Sequence, residues 1–234
     1  MSGLLLRCGC AVVFSALVAS APTPSTAQVP PSAAEAQAYA GLHQAAWRGD
    51  AAKVKALIAA GADLDARDVH GRTPLQVATY AGQRDAIMLL AKAGAKLDLL
   101  ENDRYDAVTI AAVADDPQTL SLLLALGAKA GQTTSRYDGT ALIAAAHLGH
   151  DEVVRILIRA GAPLDHVNNL HWTALIESIV LGDGGPRHQR TMAALVDAGA
   201  NTQLADRQGN TPLQLARARG YEAMAEKLKS ARAR

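Results

Sequence analysis

Apolar residues along this chain fall into pairs of short helical stretches, each stopped by a glycine. Ile87, Leu89 and Leu90 recur at helical spacing within a stretch from Asp85 to Ala93, and Gly94 ends it. Just upstream, Leu75, Ala78 and Thr79 mark the inward face of a shorter helix. Thr73 caps that helix, Pro74 occupies the first turn where its missing N–H costs nothing, and Gly82 closes it. The same grammar returns at Gly139-Thr140-Ala141-Leu142, Ala144-Ala145-Ala146 and Gly149-His150. Val153-Val154-Arg155-Ile156-Leu157-Ile158 then supplies the second helix. Small inward residues let helices approach closely. A lone pair this short cannot bury its apolar face, so the pairs must stack on one another.

The repeat is registered. Gly-Ala stands at Gly61, Gly94, Gly127, Gly161 and Gly199, with spacings of 33, 33, 34 and 38 residues. Twelve or thirteen residues beyond each glycine, in the same phase, come Thr73-Pro74-Leu75, Asp106-Ala107-Val108, Thr140-Ala141-Leu142, Thr173-Ala174-Leu175 and Thr211-Pro212-Leu213. On these residues the chain resembles the ankyrin repeat family from about Tyr39 to Ser230. The resemblance implies an all-α solenoid of about six helix-pair repeats with capping end repeats, whose role is protein–protein binding without catalysis. The expected units are 39–67, 68–100, 101–134, 135–167, 168–205 and 206–230, within a repeat domain of 39–230.

Four departures from the repeat carry information. The first unit lacks the Thr-Pro-Leu start, and Ser32-Ala33-Ala34-Glu35 has capping-box spacing, which predicts one longer first helix from about Ala33 to Trp47. The last unit ends in Tyr221 to Lys229, a helix with a charged outer face suited to a terminal cap. In the third unit Arg104 replaces the loop glycine and Asp106 the capping threonine, and aspartate caps equally well. The fifth unit carries five extra residues between its helices, around Gly182 to His188. These glycines lack the Lys-Ser/Thr ending and preceding strand of a phosphate loop and read as a flexible turn. Insertions of this kind map to loops on one face of an array, often the binding face.

The first residues change where this array is expected to work. Arg7, an apolar run from Cys8 to Ala21 and a Pro/Ser/Thr-rich stretch read as a secretory signal peptide, 1–27, cleaved after Ala27 in preference to Ala21. Residues 28–38 follow as a linker and the start of the first helix. About 14 apolar residues cannot span a bilayer core that needs roughly 20, so no membrane span is expected. Both cysteines lie in the leader, leaving a chain that can pass an oxidising compartment without disulfides. Removing Arg7 takes Lys+Arg from 23 to 22 against Asp+Glu 22, a balance that argues against a nucleic-acid partner. The exported form resembles bacterial secreted ankyrin proteins, which implies a periplasmic setting; a fully secreted effector is the variant reading, and a monomer is expected in either case.

Catalytic chemistry finds little support. No serine stands in a nucleophile elbow, no cysteine survives processing, and the carboxylates fall on loops and outer helix faces. The seven histidines, notably His147, His150, His166 and His171, leave a metal-binding or small-ligand protein open as the alternative. The expectation is no metal, no cofactor and no enzyme. Aromatics point instead to a protein partner. By the resemblance, partner-facing positions are those before the helix-ending glycine, with Trp47, Arg48 and Tyr80, and the loops around the capping residue, with His70, Arg72, Tyr105, Arg136, Tyr137, His171, Trp172 and Arg207. His147 joins them from the concave side. Arg48, Arg72, Arg136, Arg207 and Arg219 alternate with Asp68, Asp103, Asp138 and Asp206, a mixture that suits a protein surface better than a polyanion.

Overall fold

The computed structural model describes residues 28–232. The leader expected over 1–27, with its cleavage points, lies outside them. A short helix α1 (Ala33–Ala38) precedes six helix pairs: α2 (Gly41–Arg48) with α3 (Ala51–Ala59), α4 (Pro74–Tyr80) with α5 (Arg84–Lys92), and α6 (Ala107–Val113) with α7 (Pro117–Ala125). The series continues with α8 (Ala141–Leu148) and α9 (Asp151–Arg159), α10 (Ala174–Val180) and α11 (Pro186–Asp197), then α12 (Pro212–Ala218) and α13 (Glu222–Arg232). Even-numbered helices stack in one row from α2 to α12, odd-numbered ones in a second row from α3 to α13. Among the described residues no β-strand forms, and the Thr134–Gly139 bridge stands alone. The fold class is the all-α solenoid that the repeats predict.

Burial follows the period. One continuous core runs from Leu42 to Leu228, with Leu75, Val108, Leu142 and Leu175 filling equivalent inner positions and Leu90, Leu123, Leu157 and Leu195 equivalent outer ones. Caps fix each start. Thr73 Oγ1 accepts from Gln76 N at 3.3 Å while Gln76 Oε1 accepts from Thr73 N at 2.8 Å, a capping box repeated at Thr211 and Gln214. The Gln76 amide then donates to Leu99 O and Tyr105 O, tying one unit to the next. Asp106 caps α6 by accepting from Thr109 N at 2.8 Å, the role read for it above. Burial raises its carboxyl above the usual range, against the lowering bonds from Thr109.

The loops have their own motif. Asp68 accepts from His70 N and Arg72 N, Glu101 from Asp103 N and Tyr105 N, Asn168 from Leu170 N and Trp172 N, and Asp206 from Gln208 N and Asn210 N. Each such turn includes a left-handed residue: Gly71 (φ 74°), Arg104 (φ 66°), His171 (φ 63°) and Gly209 (φ 81°). Arg104 and His171 thus hold a conformation that glycine takes more cheaply. Adjacent loops are laced by Asn102 N to His70 O at 2.9 Å, Ser135 N to Arg104 O at 2.8 Å and Asn169 N to Tyr137 O at 2.9 Å.

Two expectations about the chain's irregular parts need correction. The first helix is not continuous from Ala33 to Trp47. The Ser32–Glu35 capping box forms, but Tyr39 turns extended (ψ 140°) and separates α1 from α2. The break lets the Tyr39 ring stack on His43 at 5.6 Å and its hydroxyl donate to Asp68 Oδ2 at 2.8 Å. The insertion of the fifth unit is not a loose turn either. It lengthens α11 to 12 residues against 9 in α5, α7 and α9. Its start is pinned back on the array: Arg187 donates to Gly149 O and Asp115 Oδ2, His188 Nε2 to His147 O at 3.0 Å, and the Tyr221 hydroxyl to Gly182 O at 2.9 Å.

Candidate functional site: an aromatic groove across the third to fifth repeats

The inner helices of an array present short side chains next to their loops, which leaves a concave side. Here that side holds a cavity of about 540 Å³ crossing the third, fourth and fifth units. Tyr105, Tyr137, Leu170 and Trp172 come to it from the loops. Val113, Ile143, His147, Leu148, Glu177 and Leu181 come from α6, α8 and α10 and the ends of these helices. The capping residue Thr140 and the turn residue Asn168 place the loops on their helices.

Its floor is polar and buried. Glu177 sits in the first turn of α10, with its side chain 7% exposed. Its Oε1 accepts from Asn168 Nδ2 at 2.8 Å, and the same Asn168 holds the turn that carries Trp172. His147 Nδ1 lies 3.5 Å from Oε2. Around these groups the walls are apolar and aromatic. Burial raises the Tyr105 hydroxyl above its ordinary value, so it enters the groove as a neutral donor and acceptor.

The residues predicted to face a partner separate into two groups and a remainder. Tyr105, Tyr137, His147 and Trp172 converge on the groove. Trp172 is not a freely exposed loop tip: it is half-buried and packs on the edge of the core. A second group is already occupied by the chain itself. Arg72 was expected as an exposed loop cation but is 3% exposed. Its guanidinium donates to Val29 O at 3.0 Å and Glu35 Oε1 at 3.2 Å and lies 5.6 Å over the Tyr80 ring. His70 pairs with Glu35, and Trp47 packs against Tyr39. Burial raises the Tyr80 hydroxyl, consistent with its place under that clasp. Residues 28–38 therefore form a strap over the first two units, fastened at Val29 and Glu35.

The remaining candidates stand apart. Arg48 and His171 are exposed and do not line the groove, and Arg136 pairs with Asp103 at 3.0 Å. Arg207 donates to Asn169 O at 3.0 Å. Among the described residues no three His, Cys, Asp or Glu side chains gather as a metal site. His150 instead donates to Ala112 O at 2.9 Å, and His166 to Asp138 O at 2.6 Å. No described helix is long and apolar enough to cross a membrane. Sequence reading missed Glu177, Asn168, Leu170 and Leu181. Glu177 had a visible signal, a carboxylate within Ala-Leu-Ile-Glu-Ser-Ile-Val, where helical periodicity places the residue inside.

Comparison with known proteins gives the same architecture. A family model for ankyrin repeats in three copies matches residues 42–134 and 109–184. The ankyrin repeat protein YahD of Escherichia coli (strain K12) is 39% identical over 95 residues, which are 40% of this chain and 47% of the relative, so the chain matches about half of that protein's length. The crystal structure of an ankyrin repeat domain from Acinetobacter baumannii AYE superposes with a TM-score of 0.77 at 44% identity, covering 81% of this chain and 96% of that one. A chain from the complex of the predatory endopeptidase Bd0816 of Bdellovibrio bacteriovorus with the immunity protein Bd3460 matches with a TM-score of 0.65 at 26% identity, covering 82% and 98%. Registered helix pairs, a single core shared by all of them and a family match over more than half the residues lead to one conclusion: this chain belongs to the ankyrin repeat family.

Proposed function

We propose that this protein is a non-catalytic, monomeric scaffold, exported to the periplasm, that binds a protein partner through the groove across its third to fifth repeats. The observation that carries the reading is the cavity lined by Tyr105, Tyr137 and Trp172, three large aromatics held on a rigid frame. Such side chains anchor interfaces because they bury much area at low entropic cost. The strap adds support by subtraction: it covers Arg72 and Tyr80, and none of residues 28–38 is among those that line the groove. The Bdellovibrio neighbour is a protein–protein complex, which is consistent with a protein partner here.

Export rests on the order of Arg7, the apolar run from Cys8 and the small residues before Gln28, together with a chain otherwise free of cysteine. N-terminal sequencing of the protein from a periplasmic fraction tests it. The expected first residue is Gln28, and an intact Met1 in the soluble cytoplasm contradicts export. Affinity capture from the same fraction, beside a Trp172→Ala control, tests the scaffold. A partner retained by the native protein and lost by the variant is expected.

A further inference from the structure

The groove is charged in one place only. Among its lining residues there is no lysine or arginine, and Glu177 is the single carboxylate. One of its oxygens is satisfied by Asn168, whereas no hydrogen bond from a described residue reaches the other, with His147 Nδ1 at 3.5 Å. The cations at the rim are engaged elsewhere, Arg136 with Asp103 and Arg104 with Asp138, both at 3.0 Å. The open oxygen still touches solvent, so a cation or donor that replaces water there gains a charge-assisted bond in a largely apolar pocket. Tyr105, Tyr137 and Trp172 line the same cavity, and aromatic faces attract a desolvated cation.

We propose, building on the scaffold reading above, that the groove captures a lysine or arginine side chain from an extended segment of the protein partner, with Glu177 as its counter-charge and the aromatics as its walls. A polypeptide suits this geometry better than a free amine. The cavity crosses three repeats, and Leu170 and Leu181, 39% and 43% exposed, extend its apolar lining to the surface. One small cation leaves those leucines uncovered; a segment with apolar residues on both sides of its cation covers them.

Calorimetric titration of the purified protein decides this with two blocked peptides, acetyl-Leu-Leu-Arg-Leu-Leu-amide and its citrulline counterpart, which keeps the shape and removes the charge. The arginine peptide should bind at least about tenfold more tightly. In Glu177→Gln, which preserves the acceptor for Asn168, that preference should vanish while the helical circular dichroism and melting temperature persist. Equal binding of the two peptides, no binding at millimolar concentration, or a preference that survives Glu177→Gln overturns the proposal. Butylguanidinium binding as tightly as the peptide overturns the polypeptide part of it. Failure here is separable from failure of the scaffold reading. A partner captured equally by native protein and Glu177→Gln but lost in Trp172→Ala leaves the scaffold standing and removes the cation; no captured partner removes the scaffold itself.

Discussion

Leu142, fully buried in α8 between the third and fifth units, shows what one residue contributes to the stack. Leu142→Ala removes buried methyl groups and leaves a cavity that helices on both sides close poorly, so chemical denaturation should show a loss of about 2–5 kcal/mol. Trp172 differs because its two faces do different work. Half of it packs on the core and half lines the groove, so Trp172→Ala should cost about 1–2 kcal/mol of stability and weaken partner binding by at least about 2 kcal/mol, read by denaturation and titration. From sequence alone Trp172 reads as a bare loop tip, because a position before a capping threonine does not reveal how far the neighbouring turn leans over it. Arg72 misleads for a related reason. Its partners Val29 and Glu35 lie 43 and 37 residues away, and no local pattern announces such a pairing. Arg72→Ala should lose about 1–3 kcal/mol by leaving Glu35 and Asp68 without their cation.

Among elements, the helix pairs were legible and the joints were not. Capping threonines, Pro74 and the Gly-Ala stops place each helix to within a residue or two because those signals act through the local backbone. The strap and the insertion depend on contacts between distant units, so periodicity is silent about both. The strap is also pH-dependent. Glu35 is held down to about 2 from an ordinary 4.5, first by the Ser32 hydroxyl and backbone N–H and also by Arg72. A carboxyl lowered in the folded state stabilises it above the ordinary value, and that contribution fades as pH falls from about 4.5 toward 2. Hydrogen exchange over residues 28–38, corrected for intrinsic rates, should show lost protection at pH 3 against pH 7, and Glu35→Gln should remove most of the protection at pH 7. Unchanged protection in the variant would mean that Arg72 holds the strap through Val29 alone. At the insertion, Tyr221→Phe removes the bond to Gly182 O and should cost about 0.5–1.5 kcal/mol.

At the scale of the whole molecule, the array is a stack of nearest-neighbour interfaces that holds one face rigid and leaves it lined with aromatics. The period of the sequence states the solenoid directly, since each unit repeats the same inward positions. The groove is not stated in that way. Its aromatics stand at positions that vary from unit to unit, and only the folded stack brings Tyr105 of the third unit and Trp172 of the fifth to one groove. The central claim is that this face, and not the outer row of helices, meets a protein. Site-specific photocross-linking in living cells tests that most directly, with a benzoylphenylalanine placed at Tyr137, at the groove, or at Glu152, exposed on α9. The account predicts a discrete cross-linked protein from position 137 that is absent from position 152 and suppressed by Trp172→Ala. Equal cross-linking from both positions, or none from position 137, would contradict it.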